Sequence, residues 1–107
     1  MALPVYISER AHQDVDDSYG WWAENRSFEQ AIRWRDKCVE VIESLPRAWK
    51  STPMATENQQ WPIDVRQRNF GLGRRSTHRA LFTVRPDMIL VLRVRHLAQG
   101  DLTLDDL

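Results

Sequence analysis

The residues with the most chemical capacity in this chain lie between positions 65 and 96, where the sequence reads VRQRNFGLGRRSTHRALFTVRPDMILVLRVRH. Eight arginines (Arg66, Arg68, Arg74, Arg75, Arg79, Arg85, Arg93 and Arg95) stand there against a single acid, Asp87. A guanidinium is always charged and offers a planar fork of donors, which suits phosphate and carboxylate oxygens. Two apolar runs of β type, around residues 81–84 and 88–94, alternate with these arginines. A strand sends neighbouring side chains to opposite faces. Such a segment can bury one face and present guanidinium groups on the other, so the expected role is to meet a polyanion or an acidic partner.

Other constellations are thinner. His12 and Asp16 lie one helical turn apart, which suits two metal ligands, but a metal site needs three or four and no others accompany them. A solvated helix face is the plainer reading, and neither a metal nor another cofactor is expected. Gly71-Leu72-Gly73 is a turn rather than a phosphate loop, because no helix follows it. Cys38 is the only cysteine. It falls on an apolar helical stripe and reads as an inert core thiol. With no partner it forms no internal disulfide, which is consistent with a reducing compartment.

The elements that must position the arginines follow from length and patterning. A chain of 107 residues makes one domain, residues 1–107, able to bury roughly 65% of the surface that its unfolded form exposes. The formal net charge is zero, which argues against non-specific nucleic-acid binding by the molecule as a whole, yet the charge is unevenly placed. Residues 1–53 carry seven basic and nine acidic groups, and residues 54–107 carry eight and six. MALPVYISER has no basic segment leading into an apolar one, so it is no signal peptide. No apolar run approaches the ~18 residues of a spanning helix, and a soluble cytoplasmic protein with no membrane partner is expected.

Leu3, Val5 and Ile7 alternate as in a short strand. Ser8 can cap a helix whose stripe is Ala11, Val15, Tyr19 and Trp22. Gly20 inside that helix costs about 1 kcal/mol relative to alanine. After Asn25-Arg26-Ser27, Ser27 and Gln30 make a capping-box pattern. The second helix then carries an inward stripe of Phe28, Ala31, Ile32, Arg35, Cys38, Val39, Ile42 and Leu45, and Pro46 is expected to end it. So short a link makes the two helices an antiparallel hairpin. Residues 46–62 read as a loop whose Trp49 and Trp61 tuck back onto the core. Three strands follow, at about 65–70, 77–85 and 88–95, separated by Gly71-Leu72-Gly73 and Pro86-Asp87. The tail from Ala98 reads as a short docked or frayed segment.

The expected fold class is therefore α+β: an N-terminal strand, an antiparallel helical hairpin, then a three-stranded antiparallel sheet, in the order β-α-α-β-β-β. Strand parity groups His78, Ala80, Phe82 and Val84 on one face, with Met88, Leu90, Leu92, Val94 and His96. These apolar faces are expected beneath the hairpin. The opposite face then carries Arg79, Arg85, Arg93 and Arg95. Like charges on neighbouring strands repel, so an anionic partner explains such a face better than fold stability does.

The opening VYIS followed by ERA, the paired helices, the FGLGRRSTHRALFTV segment and the closing VLRVRHLAQ resemble, in order and spacing, the RelE/ParE superfamily of toxins from type II toxin–antitoxin modules. The resemblance covers nearly the whole chain. It implies a small α+β domain and a cognate antitoxin that wraps it, here through an acidic segment. It also implies one of two activities: RelE-like members cleave mRNA on the ribosome, and ParE-like members poison DNA gyrase without being enzymes. A third reading is a decayed member that binds only its antitoxin.

RNA cleavage by 2′-hydroxyl attack needs a general base, a general acid and cationic stabilisation of the phosphorane. On that reading Arg79, Arg93, Arg95 and His96 are the catalytic candidates, and Arg66, Arg68, Arg74, Arg75 and Arg85 the nucleic-acid-binding ones. His78 is a second histidine able to move a proton near neutral pH, and Glu57 a carboxylate base. The plainer alternative is that His78 begins a strand and His96 ends one, each satisfying backbone groups. Ribonuclease members often carry a tyrosine near the end of the last strand, or lysines on the sheet. Here the only tyrosines are Tyr6 and Tyr19, the only lysines Lys37 and Lys50, and Leu97 follows His96. The clustering of arginines with His96 favours mRNA cleavage, with gyrase poisoning as the alternative.

Overall fold

The computed structural model describes residues 2–106. Strand β1 (Val5–Ile7) leads into helices α1 (Glu9–Asn25) and α2 (Phe28–Ala48). Two short 3-10 turns, Trp49–Ser51 and Thr56–Gln60, precede β2 (Arg66–Phe70), β3 (His78–Val84) and β4 (Ile89–His96), and a last 3-10 turn spans Leu104–Asp106. Ser8 and Ser27 cap the two helices as expected. Ser8 Oγ accepts the Ala11 amide at 3.0 Å and Ser27 Oγ accepts the Gln30 amide at 3.1 Å. No helix among the described residues is long and apolar enough to cross a membrane.

β1 joins the sheet. The strand order is β1-β4-β3-β2, with β1 parallel to β4 and the other neighbours antiparallel. The three-stranded antiparallel sheet expected from the sequence is thus extended to a four-stranded mixed one. A parallel neighbour requires a long crossover, and the helical hairpin supplies it.

Trp34, Phe82, Leu45, Ile89 and Val91 are fully enclosed between hairpin and sheet, with Ala80 and Val94. Two expectations about α2 are corrected. Its buried stripe is Ala31, Trp34, Cys38, Val41, Ile42 and Leu45, while Phe28, Ile32 and Val39 are exposed. The helix is rotated so that the indole of Trp34 fills the centre of the core, which buries more area than any alternative residue could. Phe28 instead meets Tyr19 edge-on at 5.9 Å, and Arg35 lies over the same Tyr19 ring at 4.8 Å. Pro46 does not end α2, which runs on to Ala48. Only two residues of the helix follow the proline, and the Trp49 amide still reaches the Leu45 carbonyl.

The parity of β4 is also corrected. Leu81 pairs with Arg93 but Phe82 pairs with Val91, so Leu92 is an extra residue in the ladder. This bulge reverses the alternation. Ile89 and Val91 before it, and Val94 after it, all enter the main core. Leu90 and Leu92, expected beneath the hairpin, are only partly buried, and Leu92 packs on the other side of the sheet.

That other side is not an open arginine face. Ala55, Trp61, Val65, Leu81 and Leu102 form a second small core over it, joined by Ile63. Residues 52–65 and the C-terminal tail cover the sheet there. Trp61 tucks back as expected, at 7% exposure, and the tail is docked, with Leu102 fully buried.

Candidate functional site

The arginines expected to share an open face are largely engaged within the chain. Arg79 is buried, and its two terminal nitrogens meet Glu57 at 2.7 and 2.6 Å, with Gln67 Oε1 at 3.2 Å. Glu57 is fully enclosed and also accepts the Leu102 amide at 3.0 Å. Burial alone would raise its carboxyl, but the hydrogen bonds from Arg79 and Leu102 hold it down at about 2. Arg93 wraps round the sheet edge to Asp14 of α1, at 2.7 and 2.9 Å, and to the Asp106 carbonyl. Its hydrogen bond to Asp14 raises its own pKa further. Asp14 accepts the Val94 amide as well, at 2.9 Å, where β1 no longer covers the β4 edge. The picture of unpaired repelling arginines is therefore corrected for Arg79 and Arg93. Each has an internal carboxylate, supplied by segments whose contribution the strand pattern does not reveal.

Among the remaining candidates, Arg95 is half-buried with its Nε unpartnered, and makes no ion pair among the described residues. Arg66 is tied to the Thr52 carbonyl at 2.9 Å and lies over the Trp49 ring at 5.3 Å, so it braces the loop. Arg68, Arg74, Arg75 and Arg85 are exposed. Arg74 and Arg75 precede β3 and Arg85 follows it, so they stand at opposite ends of a seven-residue strand, about 20 Å apart at ordinary strand rise.

His96 is not beside Arg79 and Arg93. It pairs with His78 across β3 and β4, on the α1 side of the sheet, while Arg93 and Arg95 start on the other. The two imidazoles meet edge to face with centroids 5.0 Å apart. His78 Nδ1 accepts the indole N–H of Trp34 at 3.3 Å, so in the neutral ring Nε2 carries the proton and faces Ser18 Oγ at 3.3 Å. Burial, with a smaller contribution from His96, pushes His78 down to about 4. It is a neutral core histidine rather than a proton carrier near pH 7. His96 is exposed, and its Nδ1 accepts the Ala98 amide at 3.0 Å, which leaves Nε2–H free in the neutral ring.

The histidines open onto a cleft of about 520 Å³ between α1 and the ends of β3 and β4. Its walls include Trp21 and Trp22 of α1 and Arg26, which caps the end of that helix, with Gln99 beyond β4. None of these residues was singled out as functional from the sequence. The doubled tryptophan followed by Arg26 was the available signal, since only one of two adjacent indoles can lie on a helix's buried stripe. No cluster of metal-ligating side chains occurs among the described residues, and His12 and Asp16 stay exposed on α1. Burial raises the Cys38 thiol to about 12.

Neither the models of protein families nor the curated proteins include a match to this chain. Solved structures do. One, described as the chromosomal ParDE TA system from P. aeruginosa, superposes with a TM-score of 0.70 at 21% identity, over 89% of this chain and 96% of that one. Another, described as a YoeB dimer from Staphylococcus aureus, gives a TM-score of 0.53 at 17% identity, over 90% and 98%. Element order, the parallel β1–β4 pair and these superpositions agree, and the chain has the RelE/ParE-type fold.

Proposed function

We propose that the protein is the toxin of a type II toxin–antitoxin pair and that it acts by binding its target, DNA gyrase, rather than by cutting RNA. The observation that carries the second half is the separation of the expected catalytic set. Arg79 and Arg93 are held by Glu57 and Asp14, while His96 faces the opposite side of the sheet. Stabilising a phosphorane requires donors aimed at the reacting phosphate, and a guanidinium already gripped by a carboxylate is not available for it. An antitoxin's acidic segment would meet Arg68, Arg74, Arg75 and Arg85, which are exposed, so association with it should slow as salt rises.

One observation favours the mRNA-cleavage reading. His96 presents a free Nε2–H to a cleft large enough for a nucleotide. The deciding experiment pairs supercoiling assays on the purified full chain with mapping of transcript ends after induction. Blocked supercoiling with intact transcripts is expected. New transcript ends that vanish in His96→Ala, with gyrase unaffected, would overturn the binding reading in favour of ribonuclease action.

A further inference from the structure

Strand β1 forms one edge of the sheet, and its backbone is only half used. The Ile89 amide donates to the Pro4 carbonyl and the Ser8 amide to the Val91 carbonyl, both at 2.9 Å. Tyr6 lies between them, in register with Leu90. A strand bonds to one neighbour through alternate residues. Val5 and Ile7 therefore turn their N–H and C=O groups away from β4, towards the free edge. Pro4 belongs to the inward set and removes no outward donor. The opposite edge is closed: the Gln67 amide of β2 donates to the Pro53 carbonyl at 3.0 Å, and Met54 bridges Arg66. No such bridge covers β1 among the described residues.

Charge does not guard this edge either. Edge strands are commonly protected by charged side chains, yet residues 2–8, ALPVYIS, carry none. Tyr6 is 57% exposed, on the face away from Val5 and Ile7. On the hairpin side a groove of about 320 Å³ runs beside the strand, lined by Leu3, Val5 and Ile7 with Val39, Ile42 and Pro46 of α2. Val39 is 45% exposed. The only charged residue in the lining is Glu43, so an acidic segment finds no cation there. What fits is an uncharged, apolar strand with its own outward backbone groups, and β1 is itself such a strand.

We infer that two copies of the chain associate through β1, antiparallel about a two-fold axis at Tyr6. Val5 then pairs with Ile7 of the second copy, and Ile7 with its Val5, each pair exchanging both N–H···O bonds. Tyr6 faces its own mate as the pair without hydrogen bonds, with Cα atoms about 4.5 Å apart, a place where aromatic pairs stabilise. One patch serves both copies, as a closed dimer requires. A stable dimer hides about 800 Å² on each partner, more than three strand residues supply. The grooves and the α2 flanks, meeting over the seam, provide the rest. With a formal net charge of zero, the copies do not repel as wholes. The inference does not depend on what the protein poisons.

Sedimentation equilibrium of the full chain should show the mass rising to that of two chains with concentration. The Val5 and Ile7 amides should exchange more slowly over the same range. Tyr6→Lys changes an exposed side chain and should leave the protein folded. It removes the aromatic pair and sets like charges face to face, which should weaken association about tenfold. Tyr6→Cys brings two thiols within disulfide reach across the axis. Mild oxidation should link it into dimers much faster than Arg75→Cys, at an exposed position ahead of β3 on the far side of the sheet. Cys38 is buried and takes no part. The inference is overturned if the chain stays monomeric at millimolar concentration, or if Tyr6→Lys dimerises as well as the unmodified protein. It is equally overturned if Tyr6→Cys links no faster than Arg75→Cys. Protection of the two amides by an alternating glutamate–valine peptide, and not by raised concentration, would also overturn it and assign the edge to an acidic partner.

Discussion

Arg79 grips both carboxylate oxygens of Glu57, at 2.7 and 2.6 Å, with neither residue more than 4% exposed. The pair joins the middle of the sheet to the 3-10 turn Thr56–Gln60, and through the Leu102 amide to the C-terminal tail. Two charges taken out of water are tolerable only together. Glu57→Ala strands a buried guanidinium and should cost about 3–5 kcal/mol, whereas replacing both partners, Glu57→Met with Arg79→Leu, should cost much less. Urea denaturation of the three proteins checks this. A single mutant as stable as the double would mean that the guanidinium escapes to solvent.

The element order, the helix caps and the strand limits were legible because each rests on local chemistry: Ser8 and Ser27 as caps, Pro86-Asp87 as a turn, alternation in β3. Three features were not. The Leu92 bulge leaves no mark in a run such as ILVLRV, because period 2 is counted forward from an assumed start. Trp34 was passed over because Phe28, Ile32 and Val39 form an equally good apolar stripe one step round the helix, and only the facing sheet decides between them. The pairs Arg79–Glu57 and Arg93–Asp14 span 22 and 79 residues, so a strand read by itself shows the cations and hides their partners. The expected open face of unpaired arginines fails on that last point.

Acid should unfold the protein in two stages. The folded state holds His78 down at about 4 from an ordinary 6.5, favouring its neutral form. That contribution is complete above pH 6.5 and is lost as pH falls towards 4, because the unfolded chain takes the proton first. Glu57 is held at about 2 from 4.5. Its contribution is complete above 4.5 and is lost between there and pH 2. Each stage is worth up to about 3 kcal/mol. The urea midpoint followed from pH 7 to pH 2 should show both, and His78→Phe should flatten the upper one. A midpoint unchanged between pH 7 and 4.5 in the unmodified protein would contradict the burial of a neutral His78.

Asp14 serves Arg93 and the Val94 amide together, so it ties α1 to the open edge of β4. Asp14→Asn keeps the shape but leaves a single acceptor oxygen and turns an NH₂ towards the donors of Arg93 and Val94, at a cost of about 1–3 kcal/mol. Arg93→Ala should cost a similar amount. On the proposed toxin reading, any loss of growth arrest in either variant should then follow folded population and recover when expression is moved to a lower temperature. Loss of arrest at full thermal stability would instead place Arg93 in direct contact with the target.

The bulge at Leu92 sets the register of everything before it in β4. Ser8 fixes it from outside, its hydroxyl donating to the Leu92 carbonyl at 2.8 Å and its amide to the Val91 carbonyl at 2.9 Å. Leu92 itself is only half-buried, so Leu92→Ala should cost about 1–2 kcal/mol, less than a core leucine. Phe82→Ala, wholly enclosed, should cost about 3–5 kcal/mol. Deleting Leu92 is a different act. Val91 then precedes Arg93 directly, and the pairs Phe82–Val91 and Leu81–Arg93 become consecutive rungs of a regular ladder. Ile89 and Val91 keep their partners and stay in the core. What is lost is the Leu92 side chain against the second core and the carbonyl that the Ser8 hydroxyl holds. The deletion should retain a cooperative urea transition, about 1–3 kcal/mol below that of the unmodified protein. A deletion variant with no cooperative transition would show that the sheet needs the bulge itself and not only the pairing on either side of it.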